Sequence, residues 1–193
     1  MWDWRELETM SGEASGIPSV LQQLLHGTAE QRAKAFRSLY GKVANQGDLY
    51  TSAAGVTDTI LNDLRLGRYI PEFGWLMLHE IFRSFGRDKY LMIDGHPIEI
   101  DAYCRERILE TLPVIDEVAT NLSGKDFEYA AFLLGDIGEY SNQAIAILER
   151  EVSRSSGERL QSARDQLEVA TELARERELN GGNTQATGTD ESE

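Results

Sequence analysis

His79-Glu80 is the pairing in this chain best suited to hold a metal, and it occurs once. Imidazole nitrogen and carboxylate oxygen both ligate transition metals, but a site needs several such groups converging from different helices. His26 is followed by Gly27 and His96 by Pro97, so no second pair is supplied. His79 therefore reads as a structural or partner-contacting residue. Asp136 and Glu139, with Glu128 nearby, carry the carboxylates that acid–base or glycosidase chemistry would need. Helical carboxylates at such spacing ordinarily form a solvated face. Cys104, the only cysteine, has no adjacent histidine and falls one turn into a predicted helix, as a small buried hydrophobe would. It permits no intrachain disulfide, which suits a reducing cytosol. No glycine-rich phosphate loop follows a strand, and neither a Ser-centred nor a Cys-centred catalytic spacing occurs. These readings favour a non-catalytic protein with no cofactor and no bound metal.

The elements that must position any site are helical. Phe36, Leu39, Tyr40 and Val43 stand at relative positions 0, 3, 4 and 7. Leu78, Ile81, Phe82 and Phe85 repeat that spacing 42 residues later, and Ala130, Leu133, Leu134 and Ile137 after a further 52. Such spacing sets its residues on one face of an α-helix. A unit of about 40 residues recurring along a chain marks a stacked helical repeat. Ile60, Leu61 and Leu64 likewise lie 40 residues after Val20, Leu21 and Leu24.

Punctuation agrees with the stripes. Residues 1–16 read as a short helical or irregular leader whose Trp2 and Trp4 cap the first repeat. Pro18 opens a helix that Gly27 stops. Thr28 and Gln31 form a capping box for a second helix running to about Ala44. Asn45-Gln46-Gly47-Asp48 is a turn with Gly47 at positive φ, and Ser52 is a helix N-cap. Asp101 caps a long helix in which Pro113 forces a kink or a restart. Gly135 and Gly138 permit a neighbouring helix to pack closely. Residues 157–179 form a charged terminal helix with Leu160, Ala163, Leu167, Ala170 and Leu173 inward.

One segment breaks the array. Tyr90-Leu91-Met92-Ile93 and His96-Pro97-Ile98-Glu99-Ile100 flank Asp94-Gly95, a strong hairpin signal. An irregular loop is the alternative, because Pro97 can sit only at a strand edge.

Nineteen Lys and Arg against 33 Asp and Glu give a net charge of −14. Such a chain repels phosphate backbones, and its densest basic cluster, Arg83, Arg87 and Lys89, is small. A basic protein partner would be steered toward it. No apolar run approaches the ~20 residues needed to span a bilayer, and the N-terminal residues lack the pattern of a secretory signal. The expectation is a cytoplasmic protein with no membrane and no nucleic-acid partner.

I-P-S-V-L-Q-Q-L-L, A-E-Q-R-A-K-A-F-R-S-L-Y, N-Q-G-D-L-Y-T-S-A and V-T-D-T-I-L-N-D-L, between residues 17 and 64, resemble bacterial HEAT-repeat proteins. F-E-Y-A-A-F-L-L-G-D-I-G, from Phe127, looks like the second helix of another HEAT unit. The resemblance covers residues 15–85 and, more loosely, 125–150. It implies an all-α, right-handed HEAT-like α-solenoid of about three to four helix pairs, from whose regular array the short inserted β-hairpin or loop near 89–100 departs. It implies one domain over residues 1–179; residues 180–193, polar and acidic with no apolar anchor, are expected to be a disordered acidic tail.

HEAT motifs are specific for fold and weak for function. Members of the family are mostly protein-binding scaffolds, and some small bacterial solenoids are cytosolic immunity proteins that block a cognate toxin. The resemblance therefore implies an immunity protein that occludes a basic toxin or effector, or else a general scaffold or adaptor. HEAT-repeat deoxyhypusine hydroxylases hold di-iron through recurrent His-Glu pairs, and HEAT-like DNA glycosylases need a positive channel. The single His79-Glu80 pair and the acidic charge weigh against both. Partner-binding residues are expected at repeat turns and second helices: Tyr50, Trp75 and Tyr140 as aromatic anchors, with Asp48, Asp94, Asp136 and Glu139 supplying charge.

Overall fold

The computed structural model describes residues 2–183, and among them the chain is mostly helical. A two-stranded hairpin, β1 (Glu8–Thr9) with β2 (Gly12–Glu13), precedes α1 (Ile17–His26) and α2 (Ala29–Val43). A second hairpin, β3 (Ala44–Asn45) with β4 (Asp48–Leu49), leads to α3 (Ser52–Arg65) and α4 (Glu72–Phe82). The third, β5 (Tyr90–Ile93) with β6 (His96–Glu99), feeds α5 (Ile100–Glu110) and α6 (Leu112–Ala119). Then come α7 (Gly124–Ile137), α8 (Asn142–Arg154) and α9 (Gly157–Asn183). The described residues form two compact units, divided inside α7 between Leu133 and Leu134.

Local rules account for most of the helix ends. Pro18 stands in the first turn of α1, where its missing N–H costs nothing. At α2 the Thr28 hydroxyl accepts from the Gln31 N–H while the Gln31 side chain accepts from the Thr28 N–H, completing the capping box. The expected restart at Pro113 is the boundary between α5 and α6.

In the first unit α1 packs on α2 and α3, α2 on α4, and α3 on α5. Leu21, Leu24, Leu39, Ile60, Leu61, Leu78 and Ile81 are fully or almost fully buried, with Phe36 stacked against Tyr40 and Phe73. In the second unit α8 packs on α9. A Cβ at Gly138 would lie 2.7 Å from the Ala170 Cα, so glycine is what lets α9 approach there.

Departures from the sequence reading have local causes. The second stripe is cut short: α4 ends at Phe82, and Phe85 is 56% exposed rather than buried. Its backbone is drawn into a bridge with β4, donating to the Gly47 carbonyl and accepting from the Leu49 N–H at 2.8 Å each. The leader is a hairpin, and Trp2 and Trp4 lie on α3 instead of capping the first repeat. The cap of α3 is Thr51, not Ser52, and its hydroxyl is engaged by the Glu8 N–H of the leader at 2.7 Å. Glu99, not Asp101, occupies the cap of α5; Asp101 sits in the first turn and pairs with Arg105. Helix α9 runs through Asn183, so the tail expected from 180 is helical at its start, and 184–193 lies outside the described residues.

The insert near 89–100 is the hairpin and not the loop. Asp94 (φ 50°) and Gly95 (φ 82°) form the two-residue turn, closed by Ile93 opposite His96. Pairing alternates from that closing pair, which makes Met92–Pro97 a non-hydrogen-bonded position. Pro97 therefore sacrifices no ladder bond.

Candidate functional site

The residues chosen from sequence fall into three environments. Trp75 is fully buried, its indole N–H donating to the Ile70 carbonyl at 3.0 Å, so it is core and is unavailable as an anchor. Asp48, Tyr50 and Asp94 belong to the first unit. Asp48 pairs with Arg87 at 2.8 Å, and the Lys89 ammonium stands 4.7 Å over the Tyr50 ring. Two of the three residues of the basic cluster thus have partners, although the Arg87 side chain remains 69% exposed. Asp94 is exposed at the hairpin tip.

Asp136, Glu139 and Tyr140 belong to the second unit. Glu139 and Tyr140 line a groove of about 390 Å³ with Asn142, Ala174, Arg177 and Glu178. Arg177 closes one side, donating to the Glu139 carbonyl at 3.0 Å and lying 4.8 Å over the Tyr140 ring. Asp136 is half-buried on α7.

The hairpin carries its apolar residues on both faces. Leu91 is buried, while Tyr90 (47% exposed) and Met92 (65% exposed) share the other face opposite Glu99 and Pro97. Phe85 is exposed where α4 gives way to the bridge. Asp88, Asp94 and Glu99 are exposed carboxylates in the same segment, Glu99 directly opposite Tyr90.

The most developed polar arrangement was not anticipated. Asp58, Asn62 and Arg65 lie at positions 0, 4 and 7 along α3, and Tyr103, Arg107 and Glu110 repeat that spacing on α5. The two polar stripes face each other. Asp58 accepts from the Trp2 indole at 2.9 Å, from the Tyr103 hydroxyl at 2.8 Å and from Arg107 Nε at 3.1 Å. Burial, then the bond to Asp58, pushes the Tyr103 phenol well above its ordinary range. The Asp58 hydrogen bond likewise holds the Arg107 guanidinium more firmly protonated. Trp2, Asp58, Asn62, Arg65 and Arg107, with Trp4, Thr59 and Asp63, line a cleft of about 680 Å³. The signal for it was present: the same helical spacing that marked the apolar stripes also marks these polar ones. Only the pairing of the stripes was invisible.

The other residues that could do chemistry have these surroundings. His79 is buried, its Nδ1 3.6 Å from Glu80 and its ring 5.8 Å from that of Phe132. Among the described residues no group of three or more His, Cys, Asp or Glu could hold a metal ion, and no helix is long and apolar enough to cross a membrane. Cys104 is fully buried, which pushes its thiol up to about 12. Glu128 is held by Lys125 at 2.6 and 2.8 Å.

Comparison with protein-family models, curated proteins and solved structures finds no match to this chain.

Proposed function

We propose that this protein is a non-catalytic, HEAT-like binding protein that engages another protein through the face built on the β5–β6 hairpin. The observation that carries the reading is the exposure of Phe85, Tyr90 and Met92 beside one another in sequence, bordered by Asp88, Asp94 and Glu99. Large exposed apolar side chains rimmed by charge are characteristic of interaction surfaces. The border of this face is mixed in charge, with Arg83, Arg87 and Lys89 alongside the carboxylates, so the preference for a basic partner rests on the chain's net charge of −14, which speeds such an encounter. Stacking of α1 against α3 and of α2 against α4 supports a repeat-like arrangement for the helix pairs of the first unit, which we take to be a right-handed solenoid.

The concrete form of the proposal is a bacterial cytoplasmic immunity protein that occludes a basic toxin; a general adaptor is the second form. Co-expression with the product of the adjacent gene tests it. The expected result is a one-to-one complex in light scattering, with survival of cells that the toxin alone kills. A Tyr90→Ser/Met92→Ser double variant should fold normally and lose the complex. A complex without protection from toxicity would favour the adaptor. Retention of full binding by the double variant would remove the hairpin from the interface.

A further inference from the structure

We propose that the Asp58 cleft is a small-molecule site for an aromatic carboxylate, whose carboxylate is gripped by Arg65 and Arg107 while its ring lies against Trp2 and Trp4. The volume of about 680 Å³ lies within the usual range for small-ligand sites.

The hydrogen-bonding inventory selects an anion. The carboxylates lining the cleft are committed: Asp58 receives three donors, and Asp63 is held by Arg68 at 2.7 Å with His26 at 3.8 Å. Donors remain. Arg107 uses Nε on Asp58 and Nη1 on Glu110, and Arg65 uses Nη2 on the Thr111 hydroxyl at 2.5 Å. Among the described residues, Arg107 Nη2 and Arg65 Nε and Nη1 have no hydrogen-bond acceptor, and the exposed Asn62 amide adds further donors at the wall.

The spacing of the two guanidiniums already suits one carboxylate. Both approach Oε2 of Glu110, Arg107 at 2.6 Å and Arg65 at 4.0 Å. The Glu110 side chain is 50% exposed, so it sits where an incoming carboxylate could join or displace it. Asp58 fixes the orientation of Arg107, as a preorganised anion clamp requires. The other lining side chains are polar, which leaves the two indoles as the apolar surface for a ring.

Phenylacetate is the probe, read by tryptophan fluorescence and confirmed by calorimetry. Trp75 is buried, so a change reports Trp2 and Trp4. A saturable response is expected with phenylacetate and not with 2-phenylethanol, its neutral counterpart. Arg65→Ala should weaken binding by about tenfold or more, the worth of a charge-assisted hydrogen bond. Glu110→Gln should tighten it by roughly two- to fivefold, because a competing exposed carboxylate is removed. No saturable response to phenylacetate, an equal response to 2-phenylethanol, or unchanged binding in Arg65→Ala would each overturn the proposal. If Arg65→Ala does not fold, Glu110→Gln decides alone: tighter binding supports the clamp, and unchanged or weaker binding refutes it.

Discussion

The indole N–H of Trp2 donates to Oδ2 of Asp58 at 2.9 Å, joining the leader to the middle of α3 across 56 residues. Tyr103 donates to the same oxygen and also meets the Trp2 ring edge-on, with centroids 5.8 Å apart. One carboxylate thus ties together the leader, α3 and α5.

Removing the two ends of that bond should have unequal effects. Trp2→Phe deletes one donor, leaves Asp58 with two, and should cost about 1 kcal/mol in urea unfolding. Asp58→Ala strands three donors and should cost about 2–3 kcal/mol. Equal losses in the two variants would mean that the network does not act as described.

Gly55 holds the leader by having no side chain. A Cβ there would stand 2.5 Å from the Trp4 ring, a distance the ring must yield to. Gly55→Ala should therefore displace Trp4 and red-shift the fluorescence, even though alanine is the better helix former. Stability should fall by about 1–3 kcal/mol, as in other overpacked sites. A stabilised variant with unchanged emission would contradict the packing.

Alkaline pH should destabilise the fold. Burial pushes Cys104 up from 9.0 to about 12, and burial with the Asp58 hydrogen bond raises Tyr103 as well. The native state then holds protons that the unfolded chain releases, so stability is complete below pH 9 and declines as pH rises toward 12. The urea midpoint followed against pH checks the slope. The same burial should keep Cys104 unreactive toward iodoacetamide until the protein unfolds. Rapid labelling of the native protein would refute this.

Glu151 closes the α8–α9 pair. It is fully buried, accepts from Arg159 through Nε at 3.0 Å and Nη2 at 2.6 Å, and pairs with Arg154. Glu151→Gln keeps the shape and removes the charge, and should cost about 1–3 kcal/mol; the partly exposed arginines can turn to water, which limits the loss. Proteolysis should then release fragments from the second unit before the first. Unaltered stability would mean that the pair merely fills space.

The sequence by itself determined the helices and most of their ends, because those depend on neighbours within one turn. The Thr28–Gln31 box, Pro18, the Pro113 restart and the Asp94-Gly95 turn all follow from local backbone chemistry. The buried third stripe, Ala130, Leu133, Leu134 and Ile137, follows from helical period alone. Tertiary structure decided what periodicity leaves open. The bridge between Phe85 and β4 ended α4 early and turned a core residue outward. Trp75 was taken into the core when its indole found the Ile70 carbonyl. The cleft needed partners 45, 49 and 56 residues apart to meet at Asp58. A stripe states which face of a helix is polar; only packing determines which other face it meets, because that choice rests on long-range contacts that no local pattern encodes.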